Sequence, residues 1–231
     1  MREIVLDTET TGLDPFDGHR LVEIGAVELY NHMPTGNTYH QYINPERGMP
    51  VEAFEVHGLG DEFLAKQPKF AQIAQEFLDY VKGATLVIHN AAFDMRFLNA
   101  ELKWANLPEL PTDNVIDTLM MARRRFPGSP ATLDALCRRF EITGFNRDLH
   151  GALLDSEILA EVYLELIGGR QPDFALSVHT DSGGNHDAST AWRPRPRPTP
   201  LAARITEDER AAHTEFVEKL GDSAIWRRYD G

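Results

Sequence analysis

Two acidic residues close the first apolar segment of the chain. Asp7 and Glu9, separated by Thr8, lie in the stretch IVLDTETTGL, residues 4–13. Side chains two residues apart in an extended strand share one face of the sheet, so these carboxylates would stand side by side. Like charges at that distance repel each other unless a cation lies between them. The pair alone is more typical of a solvated loop, so its meaning depends on whether other carboxylates reach the same place.

Two later segments supply further acids and a histidine. Asp94, in LVIHNAAFDMRFL, lies in the first turn of a predicted helix, where the helix macrodipole favours a negative charge. Asp155, in LHGALLDSEILAEVYLEL, opens the apolar stripe of another predicted helix, where an unpaired carboxylate is costly to bury. His150 precedes Asp155 by five residues. Taken singly, Asp94 is a helix-start charge and His150 a surface or capping residue.

The elements that position these residues follow an α/β pattern. Three hairpin-connected strands come first, and helices then alternate with strands, which predicts a mixed sheet flanked by helices. The predicted strands are residues 3–8, 21–30, 38–43, 84–89 and 113–117, and the predicted helices are residues 70–81, 92–103, 117–125, 132–140 and 152–167. The four acids would then meet at one edge of the sheet, where α/β proteins bind ligands.

Four clustered carboxylates predict a metal centre. Arg96 is the one Lys or Arg within four positions of any of these four acids, so most of their mutual repulsion at neutral pH requires neutralisation by cations. Ligation by oxygen alone suits Mg²⁺ or Mn²⁺ and excludes a zinc site of cysteine and histidine. Two such cations held by carboxylates clamp the attacking and leaving oxygens of an in-line phosphoryl displacement.

The charge of the chain restricts how it would contact nucleic acid. The net charge is −13 over 231 residues, and residues 1–170 carry 15 Lys and Arg against 26 Asp and Glu. Such a domain repels a polyanion at long range, so contact would have to be local, through metal ions or through a partner. The single cysteine, Cys137, the absence of a secretory signal and the absence of a long apolar run favour a reducing cytoplasm.

The segments around these acids resemble the DEDDh 3′→5′ exonucleases. Asp7-x-Glu9 matches the first motif of that family, Asp94 in HNAAFD the second, and His150-x4-Asp155 the third. Within the family the chain is similar to the proofreading subunits of bacterial replicative DNA polymerases. That similarity runs through VEIGAVE and AFEVHG and covers roughly residues 3–170. The resemblance implies an α/β, ribonuclease-H-like fold with a mixed five-stranded sheet flanked by helices.

The resemblance also implies a role for each motif residue. Asp7 would bridge two divalent cations, Mg²⁺ or Mn²⁺; Glu9 and Asp155 would complete the first and Asp94 the second. Asp7, Glu9 and Asp155 would also face the substrate. His150 would be the general base, since an imidazole with the usual pKa of ~6.5 accepts a proton readily at neutral pH. A nucleoside 5′-monophosphate would leave from the 3′ end of single-stranded DNA.

A further segment resembles the part of the family that contacts the terminal nucleotide. In AFEVHG, residues 53–58, the resemblance implies that His57 and the preceding Glu52 are substrate-binding residues. A turn histidine before Gly58 is the alternative. A related nuclease acting on RNA ends is a rival function, because sequence does not show how the site treats a 2′-hydroxyl. A non-catalytic scaffold is a second rival, although all five motif residues are present.

The C-terminal part of the chain differs from the rest in amino-acid composition. We expect an exonuclease domain at residues 1–170, a flexible Pro- and Gly-containing linker at 171–204, and a helical tail at 205–231. The linker begins with QPDFAL, residues 171–176, which resembles a sliding-clamp-binding peptide through Gln171 and Phe174 but departs from the common pattern at Pro172. A stretch that ends the last helix and packs on the domain is the alternative.

The tail carries a helix-start signature and exposed aromatic residues. Thr206 and Glu209 form a capping box and Gly221 a C-cap, which predicts a helix over 206–220. An apolar stripe that includes Phe216, with Trp226 beyond it, is too small to form a core. The resemblance implies that these residues bind the polymerase subunit; docking back onto the nuclease domain is the alternative. The resemblance also raises the question of a small theta-like accessory subunit.

Overall fold

A five-stranded mixed sheet forms the centre of the molecule. The computed structural model describes residues 1–145, 149–168 and 205–221. The strands lie in the order β3-β2-β1-β4-β5, and β1, β2 and β3 are antiparallel while β4 runs parallel to β1 and to β5. They are β1 (Arg2–Thr10), β2 (Leu21–Tyr30), β3 (Met33–Tyr42), β4 (Thr85–Ile88) and β5 (Val115–Asp117). The mixed five-stranded sheet expected from the sequence is therefore confirmed.

Helices surround the sheet, and the five predicted helices lie within one residue of their expected bounds at each end. The helices of the domain are α1 (Val51–His57), α2 (Asp61–Leu64), α3 (Phe70–Val81), α4 (Ala91–Trp104), α5 (Thr118–Arg125), α6 (Leu133–Phe140) and α7 (Ala152–Leu166). A short 3₁₀ helix spans Pro15–Asp17. None of the helices in the described residues has the length and apolar character that crossing a membrane requires.

The strand β1 separates the two halves of the core. Ile4 and Leu6 pack with α3 and α4 on one face, and Val5 packs with α7 on the other. The strand extends to Thr10 and pairs with β2 beyond the predicted end at residue 8. Asp7 and Glu9 therefore both lie within the ladder, as the shared face expected for them requires, and the predicted end of the strand at residue 8 is two residues too early.

The described part of the C-terminal unit contains the helix α8 (Glu207–Lys219). Its first turn carries the predicted capping box, in which the Glu209 amide donates to Thr206 Oγ1 and the Thr206 amide donates to Glu209 Oε2 at 2.8 Å. The helix ends at the C-cap Leu220, and Gly221 follows with a φ of 66°. The helix predicted over 206–220 is confirmed.

Candidate active site

The pleat of β1 carries Asp7 and Glu9 toward α7. Along the strand, Val5 faces α7, and the period-2 alternation places Asp7 and Glu9 on that same face. Asp7 is paired across the sheet with Gly25 of β2. This register places the first turn of α7, which carries Asp155, beside the two acids of β1.

The missing side chain of Gly25 permits this approach. A Cβ at that position would lie 2.1 Å from the Leu153 amide nitrogen and 2.2 Å from the Ala152 carbonyl carbon. The Ser156 hydroxyl makes a bond of 2.9 Å to the Gly25 carbonyl oxygen, which fastens the helix to the strand. A glycine inside a strand often marks such a close approach of backbone to backbone.

We expect Gly25→Ala to lower both stability and activity. The added methyl group must displace α7 or β2, which costs about 1–3 kcal/mol of unfolding free energy, and it moves Asp155 relative to Asp7. A displacement of ~1 Å at a catalytic group can lower the rate about 100-fold. Thermal melts and initial rates check this, with Gly48→Ala as the control because a Cβ there meets no atom within 4 Å. Equal rates in the two variants would contradict the role of the contact.

Asp94, the acid of the second motif, approaches β1 from the face opposite α7. After β4 ends at Ile88, Asn90 adopts a left-handed conformation with φ of 66°, and α4 begins at the next residue. This turn places Asp94 in the first turn of α4, where its side chain is 3 % exposed. The hydroxyl of Thr8, which lies between the two acids of β1, donates to Asp94 Oδ1 at 2.6 Å.

Burial makes the charge of Asp94 costly. The pKa of Asp94 is raised to about 7, chiefly by loss of water around the carboxylate and to a smaller extent by the negative charge of Asp117, although the hydrogen bonds from Thr8 oppose the change. A cation at this carboxylate would favour its ionised form. The fold therefore holds an acid whose charge requires a positive partner.

The predicted general base lies beside the acid of α7. His150 Nδ1 is 3.2 Å from Asp155 Oδ2, and the His150 side chain is about half exposed. The His150 amide donates to the Val56 carbonyl of α1 at 3.1 Å. The loop that carries the histidine is thus attached to α1, the helix that begins one residue before Glu52.

All five motif residues line one cleft of about 740 Å³. They are Asp7, Glu9, Asp94, His150 and Asp155. Ligand atoms of Glu9, His150 and Asp155 lie within 4.8 Å of one another, and Asp7 and Asp94 line the same cleft outside that trio. The donors are mainly carboxylate oxygens in a partly buried setting, so the residues fit hard divalent cations such as Mg²⁺ or Mn²⁺.

We expect Mg²⁺ or Mn²⁺ to stabilise the protein against heat. A cation that binds only the folded chain raises the free energy of unfolding by about 2.7 kcal/mol when its concentration is 100 times its Kd. In a chain of this size, each kcal/mol raises the melting temperature by about 2–4 °C. Melting curves in EDTA and at increasing cation concentration measure the shift. Asp113→Asn, which removes an exposed acid outside the cleft, should shift as the wild type does. An unchanged melting temperature with both cations would contradict a metal site.

A second cleft of about 620 Å³ adjoins the first and shares Thr8, Glu9 and Phe93 with it. The candidate substrate residues Glu52 and His57 both line this second cleft. The His57 side chain is buried, which lowers its pKa, and its Nδ1 accepts from the Leu59 amide at 3.1 Å. Burial and the hydrogen bond accepted from the Leu59 amide both favour the neutral imidazole.

The sequence interpretation missed one residue of this junction. A spacing of four residues on a helix predicts that Phe93 and Phe97 both belong to the core. Phe97 is fully buried, but Phe93 lines both clefts and contacts Phe97 with ring centroids 5.1 Å apart. Its position directly before Asp94 was the signal that could have identified it.

The candidate partner residues fall mostly outside the described part of the chain. Gln171, Phe174 and Trp226 lie outside the described residues. Phe216 lies on α8 with 54 % of its surface exposed.

Comparison with known proteins agrees with this geometry. A family model described as "Exonuclease" (RNase T type) matches residues 4–163. The DNA polymerase III subunit epsilon of Rickettsia conorii is 48 % identical over 223 residues, covering 95 % of this chain and 96 % of the relative. The subunit of the same name from Escherichia coli K12 is 45 % identical, with coverages of 98 % and 97 %.

Solved structures share the fold of the domain. Exonuclease X in complex with 5′-overhanging duplex DNA aligns with a TM-score of 0.56 at 26 % identity, covering 71 % of this chain and 90 % of that one. The nuclease domain of 3′hExo, described as a DEDDh family member bound to rAMP, aligns with a TM-score of 0.62 at 20 % identity, covering 72 % and 91 %. The chain therefore belongs to the exonuclease family and, within it, to the epsilon subunits of DNA polymerase III.

Proposed function

We propose that this protein is a metal-dependent 3′→5′ exodeoxyribonuclease that removes mispaired terminal nucleotides as 5′-monophosphates. It would serve as the proofreading subunit of DNA polymerase III in the cytoplasm. The observation that carries the proposal is the meeting of four carboxylates and His150 in one cleft beside a second, nucleotide-sized cleft. Identity of 45–48 % to epsilon subunits over nearly the whole chain favours DNA over RNA as the substrate.

The acids would hold two divalent cations. Asp7 would contact both, Glu9 and Asp155 would complete the first, and Asp94 the second. When bound, the cations would lower the pKa of the attacking water and stabilise negative charge on the phosphate and on the departing 3′ oxygen.

His150 would accept the proton of the attacking water. A proton on Nδ1 donated to Asp155, 3.2 Å away, leaves the Nε2 lone pair as the basic site. The partial exposure of the imidazole allows the proton to pass on to solvent after each cycle. Asp155 would therefore orient the histidine as well as bind a cation.

The adjoining cleft would receive the terminal nucleoside. Glu52 is exposed at its rim and would accept a hydrogen bond from the 3′-hydroxyl, and the buried His57 would form part of the wall against the sugar or base. Phe93, shared by both clefts, offers an aromatic edge where the terminal nucleotide meets its 5′ phosphate. The terminal nucleoside would thus occupy the second cleft while its phosphate lies in the first.

A comparison of matched primers tests this function. Duplexes with a paired or a mispaired 3′ terminus, and single-stranded DNA and RNA of the same sequence, are incubated with Mg²⁺ and resolved on a gel. We expect single-stranded and mispaired DNA termini to be removed faster than paired ones, since a frayed end reaches the cleft more easily, and DNA faster than RNA. Equal or faster removal of RNA would favour the rival function at RNA ends.

The tail would attach the nuclease to its partner. Residues 205–231 would bind the alpha polymerase subunit, residues 171–176 a sliding clamp through Gln171 and Phe174, and a small theta-like subunit is a further candidate partner. Tethering raises the local concentration of a second binding event, so it would offset weak binding of DNA by an acidic domain. The exposed Phe216 on α8 supports a partner for the tail.

We expect Phe216→Ala with Trp226→Ala to abolish co-purification with the polymerase subunit and to leave hydrolysis of free oligonucleotides intact. Loss of two aromatic anchors removes the apolar contact that a short helix offers to a partner. Glu218→Ala is the control, because this exposed residue lies two positions from Phe216, on another face of α8. Retention of the complex by the double variant would exclude this surface.

A further inference from the structure

The described part of the acidic domain shows no evident site for the rest of the DNA strand. Cations at the carboxylates would neutralise the scissile phosphate, but each further nucleotide brings another negative charge. Residues 1–170 carry 26 acids against 15 basic residues, so upstream phosphates need a local positive group. Among the described residues that line the catalytic cleft, Arg123 is the one Lys or Arg side chain.

The helix α5 directs Arg123 into this cleft. The helix begins directly after β5, with Asp117 as its N-cap, at the edge of the sheet where the acids lie. Leu119 and Arg123, four residues apart and so on one face of the helix, both line the cleft, while Ala122 is buried in the core. The wall continues through residues 129–134, which include the acidic Asp134.

The neighbouring arginines differ from Arg123 in what they contact. Arg125 donates to the carbonyl oxygens of Glu165 and Leu166, both at 2.7 Å, and caps the end of α7. Arg139 lies over the ring of Phe126, with its guanidinium carbon 4.3 Å from the centroid. Arg123 is exposed, and within the described part of the chain it has no hydrogen-bond or ion-pair partner.

The two clefts define a direction for the strand. They meet at Thr8, Glu9 and Phe93, so a strand with its terminal nucleoside in the cleft of Glu52 and its 5′ phosphate at the acids continues along the other cleft. We infer that Arg123 binds a backbone phosphate upstream of the scissile bond and is a positioning residue for the strand. This inference rests on the proposed function for the direction of the strand.

A general stabilising role is the competing explanation. Arg123, Arg124 and Arg125 all lie in the last turn of α5, where positive charge favours the helix dipole. Arg124 is exposed, does not line the cleft and shares this role, so it serves as the matched control.

The first test measures binding without hydrolysis. The full-length chain and its Arg123→Ala and Arg124→Ala variants are titrated into a fluorescent single-stranded dT10 with Ca²⁺ as the probe cation, over a series of salt concentrations. We expect Arg123→Ala to weaken binding about tenfold and to reduce the slope of log K against log salt by about 0.7, the value for one lost phosphate contact on a single strand. Arg123→Lys should recover most of the slope, since the charge remains.

The second test compares long and minimal substrates. With Mn²⁺, we expect the loss of kcat/KM in Arg123→Ala to be at least five times greater on dT10 than on the p-nitrophenyl ester of thymidine 5′-monophosphate, which has no upstream phosphate. Should Arg123→Ala lower the melting temperature, Arg123→Gln keeps the stem and removes the charge. Equal effects of the Arg123 and Arg124 variants on the salt slope, or equal losses on both substrates, would overturn the inference. If the wild type hydrolyses neither substrate but Arg123→Ala still reduces the salt slope of binding relative to the wild type, the proposed function alone would be refuted.

Discussion

Asp94→Asn is expected to abolish hydrolysis and to raise the stability of the metal-free protein. The substitution removes one of the negative charges that would hold the second cation, and loss of several kcal/mol of charge stabilisation lowers the rate by about 10³-fold or more. Asn keeps the shape of the side chain and an oxygen that accepts the 2.6 Å hydrogen bond from Thr8. It also removes a carboxylate that is 3 % exposed and whose charge is disfavoured by burial.

Stability distinguishes this account from simple damage to the fold. In EDTA the unfolding free energy of Asp94→Asn should rise by about 1–2 kcal/mol, because a buried charge without a partner has been replaced by a neutral group. Denaturant titrations in EDTA measure the change, and Asp113→Asn at an exposed site should alter neither stability nor rate. A destabilised Asp94→Asn variant, or one with the wild-type rate, would contradict the assignment of Asp94 as a ligand.

His150→Ala is expected to lower kcat by roughly 10²–10⁴-fold, the usual contribution of a general base. The metal ligands remain, so binding of Mn²⁺ should persist and residual hydrolysis should depend on external base. The acid limb of the pH–rate profile should flatten, because the group that must be unprotonated to accept the proton of the attacking water is gone. A variant damaged only in packing would keep the shape of that profile.

The pH dependence therefore provides the decisive readout for His150. His213→Ala, at an exposed position on α8, is the matched histidine control and should retain both rate and profile. Recovery of part of the His150→Ala rate by added imidazole would support proton transfer at this position. An unchanged profile in His150→Ala would show that another group accepts the proton.

The sequence predicted the parts of the fold that depend on local patterning. Helices such as α3 and α7 have a sustained apolar period, so their bounds were accessible without tertiary information. The helix α1 was missed because its seven residues span only two turns and Pro50, its N-cap residue, makes no side-chain capping bond. The first half of β3 was missed because its residues are exposed and include Pro34, Gly36 and Asn37, which are uncommon in strands. Pairing with β2 through a turn at Asn31 and His32 is what makes it a strand.

The candidate site was predictable in its residues but not in its supports. Carboxylates at strand ends and helix starts are candidate metal ligands, and this pattern identified Asp7, Glu9 and Asp94. The contact that brings Asp155 to them depends on Gly25, whose importance arises only from the 2.1 Å separation that a side chain would have from α7. Arg123 escaped notice for the same reason, since its place in the cleft follows from the packing of α5 beside β5.

The most direct test of a metal-dependent 3′→5′ exonuclease is the product pattern from 5′-labelled single-stranded DNA. The full-length protein is incubated with the labelled strand in Mg²⁺, in Mn²⁺ and in EDTA, and the products are resolved at single-nucleotide resolution. The account predicts a ladder that shortens by one nucleotide at a time from the 3′ end, release of nucleoside 5′-monophosphates with either cation, and no reaction in EDTA. Internal cleavage, immediate release of the 5′ label, or equal hydrolysis in EDTA would contradict it.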